Sequence, residues 1–458
     1  MSNYDFKELA KKYHEEALDS LTKFVQINSV YDEKTQGINK PFGNGVASAL
    51  KFIQELGEKE GFKTDSCQGY ATEISYGEGD VDIAIFAHAD VVPASGEWKY
   101  DPFGGEKDDK YIYGRGVSDD KGAGIAAFYA LKLLKDNNLI DNYKVRLVIG
   151  GNEERGSACM RYYFNVLRKD APTYGFTPDA EFPLIYGEKG ITNYETSLDI
   201  DLSPIISVRG GKVSNSVIDR FVVTLPSDER FVRHLKENNY EFEKQVVDNV
   251  YKITFIGKSA HGSTPEEGIN AGIVGLKAIS RFYKNEKLAK FVSFYEDYNG
   301  KNLGAYEETP LLGKTTFNVG LITYKDNKLT FTVNFRYPET VKYRETLKKI
   351  NKLTGAKINI LSNAKVLLFD PESDLVQTLL NVYQEETNDY ESKPLAIGGG
   401  TYAKECPNTI AFGCAFKGRP GNIHAPNEYL LIEDFYLQIA IYAHAIMALA
   451  RLGKTKCE

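Results

Sequence analysis

Apolar residues recur at helical spacing from Tyr4 to about Val25, at Phe6, Leu9, Ala10, Tyr13, Ala17, Leu21 and Phe24, which predicts an amphipathic helix. Residues 81–86 and 143–149 are short β-rich runs, the first apolar almost throughout, as a strand buried on both faces requires. Between them, 122–134 is rich in Ala and Leu and reads as a helix. This strand–helix–strand rhythm predicts an α/β fold on a central, mostly parallel sheet flanked by helices. It resumes after about Leu367 with a helix at 374–384, a short strand at 409–412 and a terminal helix at 432–452.

The middle third reads differently. Strand-like runs at 193–200, 217–225, 250–256, 316–323 and 328–337 alternate with helices at 271–283 and 340–353, without Gly/Pro-rich linkers or repeats. A second α+β domain over 191–365 is expected, inserted into a first domain made of 1–190 and 366–458.

The 458 residues, 42% hydrophobic and 26% charged, allow about three domain-sized units and a sizeable core. Lys plus Arg is 56 and Asp plus Glu is 63, a net −7 with no basic run, so neither nucleic acid nor an anionic membrane is an expected partner. Five scattered cysteines (Cys67, Cys159, Cys406, Cys414, Cys457), with no C-x-x-C pair, read as free thiols in a reducing compartment. The first residues carry Asp5, Glu8, Glu15, Glu16 and Asp19, unlike a signal peptide. The most apolar stretch, 435–450, is interrupted by Gln438 and His444 and is too short to span a bilayer, so a buried helix is expected there. A cytoplasmic protein follows.

Six histidines organise the candidate chemistry. His14, His234 and His444 lie inside helical patterns and are expected to be structural. His88 stands in Ala87-His88-Ala89-Asp90, directly after the run 81–86, where it could ligate a metal while Asp90 accepts its other ring N–H. Asp119, in Gly114-Arg115-Gly116-Val117-Ser118-Asp119-Asp120-Lys121, precedes a helix; it could be a simple cap, or its two oxygens could bridge two cations. Glu153 and Glu154 follow the next strand beside glycines, where a solvated loop is the plain alternative. Asp179 lies in a Pro-constrained turn, and His424 in Gly421-Asn422-Ile423-His424-Ala425-Pro426-Asn427-Glu428. Any one pairing could be chance, but five motifs falling at strand ends in one α/β domain point to a site.

These motifs resemble the dinuclear metallopeptidases that include aminoacylase, carnosinase, glutamate carboxypeptidase and tripeptidase. Thr177–Pro183 (TPDAEFP), Gly187–Gly190 (GEKG), Phe335–Pro338 (FRYP) and Ile397–Tyr402 (IGGGTY) look like the bacterial dipeptidase V group within it. The resemblance implies that His88 and Asp179 hold one metal, Glu154 and His424 the other, and Asp119 bridges them. It implies Asp90 as the orienter of His88, Glu153 as the general base, and a cis peptide between Asp119 and Asp120. The segment from Gly257 to Pro265 matches the family's lid motif, making His261 the transition-state stabiliser. Asn215 and Arg336 look like the substrate-binding pair, and Gly398, Gly399 and Gly400 would let backbone approach the substrate. Two departures, Ala123 and Arg155, touch no implied ligand.

The implied function is hydrolysis of unblocked dipeptides with two divalent ions, zinc first, manganese or cobalt as alternatives, since oxygen and nitrogen donors suit all three. A small peptide is the expected partner, and a monomer the expected state, with the enlarged lid supplying His261 within one chain. An N-acyl- or N-succinyl-amino acid amidohydrolase with the same centre is the nearest alternative, and an inactive metal- or peptide-binding relative the other. A nucleotide-binding enzyme is disfavoured: Lys252 and Glu308 stand where a P-loop before Lys258 or Lys314 needs its first glycine.

Overall fold

The computed structural model describes residues 4–419 and 421–457, with side chains of the last helix as far as Thr455. The chain forms two compact units. The first comprises 1–186, 369–395 and 400–458, and the second Gly187–Leu368 with Ala396–Gly399.

In the first unit, Lys144–Gly150, Asp82–His88, Tyr174–Thr177 and Thr409–Ala411 lie side by side in that order, all parallel. Their side chains are almost wholly buried, which is why the runs read as apolar rather than alternating. The parallel character is confined to these four strands. Ala71–Tyr76 joins one side antiparallel through Ala71 opposite Gly150, and Ile185 meets Ala411 antiparallel on the other, so the whole sheet is mixed. Lys121–Asp136, the crossover helix, packs on Asp82–His88 and against the terminal helix Ile432–Cys457. The N-terminal helix arrives in two pieces, Phe6–Ala10 and His14–Val25, separated by a tighter turn at Lys11–Tyr13 in which Tyr13 turns inward to Asp136.

The terminal helix corrects one expectation. Its span Ile432–Thr455 is long and apolar enough, by length and composition, to cross a bilayer. Length therefore does not exclude a membrane; burial identifies a core helix, since Phe435, Ile439, Ile441, Tyr442, Ile446 and Leu449 are wholly enclosed in the hydrophobic cluster of this unit. The described cysteines Cys67, Cys159, Cys406 and Cys414 are buried and unpaired. Cys457 lies outside the described side chains.

Ile85, at the centre of Asp82–His88, is fully enclosed. Ile85→Ala should lower stability by about 2–5 kcal/mol, read as a lower urea midpoint, because a rigid sheet collapses only partly into the cavity.

The second unit carries an antiparallel eight-stranded sheet in the order Phe242–Val247, Val250–Ile256, Arg220–Pro226, Ser207–Gly210, Thr316–Lys325, Lys328–Tyr337, Gly190–Asp199, Lys357–Ala364. Helix Ala271–Phe282 packs on Arg220–Pro226 and Val250–Ile256, and a core around Phe221, Phe255, Leu276, Phe331 and Phe335 closes the unit on itself.

Candidate metal centre

Parallel neighbours end on the same edge, and that topology assembles the site. His88 closes Asp82–His88, Glu153 and Glu154 follow Lys144–Gly150, and Asp179 follows Tyr174–Thr177, so three adjacent strand ends deliver four of the candidates together. Asp119 comes from the loop ahead of Lys121–Asp136, and His424 from the loop ahead of Tyr429–Leu431.

The side chains form two groups that share one residue. His88 Nε2 lies 3.0 Å from Asp119 Oδ1 and 3.8 Å from Asp179 Oδ2. His424 Nε2 lies 2.9 Å from Asp119 Oδ2 and 3.0 Å from Glu154 Oε1. Within each group (His88, Asp119, Asp179 and Asp119, Glu154, His424), the possible ligand atoms lie within 4.8 Å of one another. Ligands bound at about 2.0–2.2 Å to one divalent ion stand roughly 3–4 Å apart, so both groups fit such an ion. Asp119 offers a different oxygen to each group. The Asp119–Asp120 peptide is cis.

The electrostatics run the same way. Burial alone would lower the His88 imidazole, but the hydrogen bond to Asp119 and the charge of Asp90 hold it well above its usual value. Hydrogen bonds with Asp119 and then Glu154 raise His424 to about 10. Burial raises Asp179 to about 7, with the Asp119 charge adding to it. Burial also raises Glu153 well above the carboxylate range, and Asp179 pushes in the same direction. Acids and imidazoles crowded this closely hold on to protons, and a divalent cation would take the place of those protons.

Asp90 meets His88 differently from expectation. Its carboxylate Oδ1 is 3.6 Å from Nδ1, beyond hydrogen-bond range, whereas its main-chain oxygen stands 2.9 Å from that nitrogen. The carboxylate instead accepts the backbone N–H groups of Glu153 at 3.0 Å and Glu154 at 3.2 Å. Asp90 therefore fixes the turn that carries both glutamates. The other histidines behave as structural groups: His14 stacks on Tyr436, His234 sits in Glu229–Glu237, and His444 meets Glu386 at 2.7 Å.

The remaining candidates gather within the second unit, apart from Gly400, which belongs to the first. Asn215 O accepts the Gly262 N–H at 2.7 Å, and His261 Nδ1 stands 2.6 Å from Ser263 Oγ. Gly398 is pressed on Ser263, where a Cβ would come within 2.8 Å of the serine Cβ; Gly399 has no such constraint. Arg336 donates through Nη1 to Gly398 O at 2.5 Å and through Nε to Asn334 Oδ1 at 2.8 Å. Arg336 is 3% exposed, its two acceptors, Gly398 O and Asn334 Oδ1, are neutral, and burial lowers it to about 10. A buried guanidinium with neutral partners is prepared for an anion.

Sequence reasoning passed over Arg115 and Glu428, which lie in the quoted motifs and form a buried ion pair at 2.7 Å beside Asp119. Both carried a signal: a charged residue within four positions of a proposed ligand, in a glycine- or proline-marked loop.

Peptidase family M20/M25/M40 matches residues 84–448, and the chain belongs to that family. "Putative dipeptidase YtjP" of Bacillus subtilis is 35% identical over 469 residues, covering 98% of this chain and all of that one (100%). Human carnosine dipeptidase 1 shares the fold with a TM-score of 0.59 at 12% identity, covering 97% of this chain and 98% of the human one. Bacillus subtilis YXEP, described as a dinuclear metal binding peptidase from the M20 family, matches with a TM-score of 0.52 at 11% identity, covering 96% and 99% of the two chains.

Proposed function

We propose that this chain is a dinuclear metal-dependent dipeptidase acting on unblocked dipeptides. The observation that carries the reading is the division of Asp119 between two ligand groups, Oδ1 toward His88 and Oδ2 toward His424. His88, Asp119 and Asp179 would hold one ion, and Asp119, Glu154 and His424 the other, zinc first and manganese or cobalt next by donor type. When bound, such ions supply Lewis-acid polarisation of the scissile carbonyl and a water of lowered pKa.

Glu153 takes the proton of the attacking water and returns it to the leaving amine. Its carboxyl interacts with Asp179, His88 and Glu154 while belonging to neither ligand group, which leaves its oxygens for proton transfer. Asp90 holds the main chain of Glu153, and so aims that carboxyl without joining the proton transfer. His261 is assigned to the developing oxyanion, a contact of the kind worth about 3–4 kcal/mol of barrier. Asn215 and Arg336 are assigned to the substrate, with Arg336 taking the terminal carboxylate in a planar fork and the Gly398–Gly400 backbone alongside. The lid histidine acting within its own chain goes with a monomer, and buried unpaired cysteines go with a cytoplasmic setting.

Metal-stripped protein refilled with each ion, offered dipeptides, their C-terminal amides and N-acetyl-amino acids, tests this reading. Free dipeptides should be cleaved, and amidation should cost roughly 10–100-fold, the value of a lost charge-assisted hydrogen-bond pair. Equal rates on the amides remove Arg336 from its role. Turnover of the acetyl compounds alone replaces the dipeptidase by an acyl-amino acid hydrolase, and turnover of neither class leaves an inactive relative.

A further inference from the structure

We propose that Glu428 positions the bridging Asp119, with Arg115 and Trp98 holding Glu428 in place; the proposal rests on the dinuclear reading above. Glu428 is completely buried, and its two oxygens have separate tasks. Oε1 accepts the backbone N–H groups of Gly116 at 3.1 Å, Ser118 at 3.0 Å and Asp119 at 3.2 Å. Oε2 accepts Arg115 Nη1 at 2.7 Å. The loop before Lys121–Asp136 is thus wrapped around one carboxylate, and the last N–H it takes belongs to Asp119 itself.

The same residue ties down the other half of the site. Glu428 is four positions after His424, and its main-chain oxygen accepts the Gly114 N–H at 3.1 Å. Ser118 Oγ donates to Tyr429 O at 2.7 Å, and Tyr111–Tyr113 pairs antiparallel with Tyr429–Leu431. The loops that deliver Asp119 and His424 are therefore registered to each other at Glu428. Asp119 Oδ2 and His424 Nε2 end 2.9 Å apart as a result.

Stability alone is a poor reason for this arrangement. Arg115 is 1% exposed, and its Nε and Nη2 have no hydrogen-bond partner among the described residues. Its guanidinium lies against the Trp98 ring, 5.1 Å from the centroid. A buried ion pair with two unmatched donors is costly, and an apolar pair of similar volume would commonly be as stable. What an apolar pair could not do is collect three backbone N–H groups on one point and so fix where Asp119 stands.

The signature follows from the sharing of Asp119. Disturbing Glu428 should weaken both ions together, whereas Asp179→Ala or His424→Ala should chiefly weaken one. Glu428→Gln keeps an acceptor for the backbone but turns an amide N–H₂ toward Arg115, donor against donor. Zinc titration against a competing chelator should show both affinities of the folded Glu428→Gln protein lowered about 10–100-fold, the usual consequence of removing a partner behind a metal ligand. On a dipeptide, kcat should fall with KM near wild type. Arg115→Met should do the same and Arg115→Lys should restore part of the loss; these two carry the test should Glu428→Gln not fold. A purely structural role would lower the melting temperature and leave the zinc affinities of the folded protein unchanged, which overturns the proposal. Selective weakening of one ion overturns it as well. Wild-type protein that takes up two zinc ions alongside unaffected variants removes only the positioning role, while wild type that takes up none removes the dinuclear reading with it.

Discussion

Glu153→Gln should lower kcat on a dipeptide by about 10²–10⁴-fold and leave the uptake of two divalent ions intact. The substitution is nearly isosteric and replaces the proton-accepting carboxylate by a neutral amide. Glu153 belongs to neither ligand group, so ion binding has no direct reason to change. Its main-chain N–H donates to Asp90 Oδ1, a bond that a change of side chain leaves in place. The turn therefore stays where it is, and Glu154 with it. Steady-state kinetics with metal analysis of the same preparation separates proton transfer from ion loss. Unchanged kcat would make Glu153 a bystander.

Asp119→Ala should be more severe, because one substitution strips an oxygen from both groups. Both ions should be lost on dialysis, and turnover should fall on the order of 10³-fold or more, the scale of several kcal/mol of Lewis-acid stabilisation. Without Asp119, His88 keeps only the more distant Asp179, and His424 keeps only Glu154. Asp179→Ala is the matched control, since Asp179 belongs to one group alone. Elemental analysis after dialysis reads both variants, and two ions retained by Asp119→Ala would contradict the sharing of its oxygens.

The legible part of this fold is the part in which burial dominates the local pattern. The strands at Asp82–His88 and Lys144–Gly150 and the helix between them were readable because apolar residues fill them almost without interruption. Val250–Ile256 and Lys328–Tyr337 in the insert were equally plain. The edge strands Phe242–Val247 and Lys357–Ala364 were not readable: exposed nearly throughout, they carry charged and polar residues and owe their form to a neighbour far away in sequence. Helix Asn44–Lys59 opens behind Gly43 without a side-chain cap, so its start carries little local signal.

At the site, chemistry was more legible than geometry. A histidine at a strand end and acids beside glycines announce themselves locally, but Glu154 and His424 are 270 positions apart and meet only through tertiary structure. The Asp90 carboxylate illustrates the limit. An H-x-D spacing suggests an acid oriented toward a ring, yet the main-chain oxygen of Asp90 meets that nitrogen while the carboxylate turns to the Glu153–Glu154 backbone. Glu428 shows the reverse case, a residue whose type and neighbourhood gave notice but whose partners, three backbone N–H groups more than 300 positions away, no local pattern could name.

Anomalous diffraction from crystals grown with manganese or zinc tests the central claim most directly. Two peaks should flank Asp119, one bounded by His88 and Asp179 and the other by Glu154 and His424. A map without a peak at either position, or with His88 and His424 packed apart in separate apolar surroundings, would contradict it.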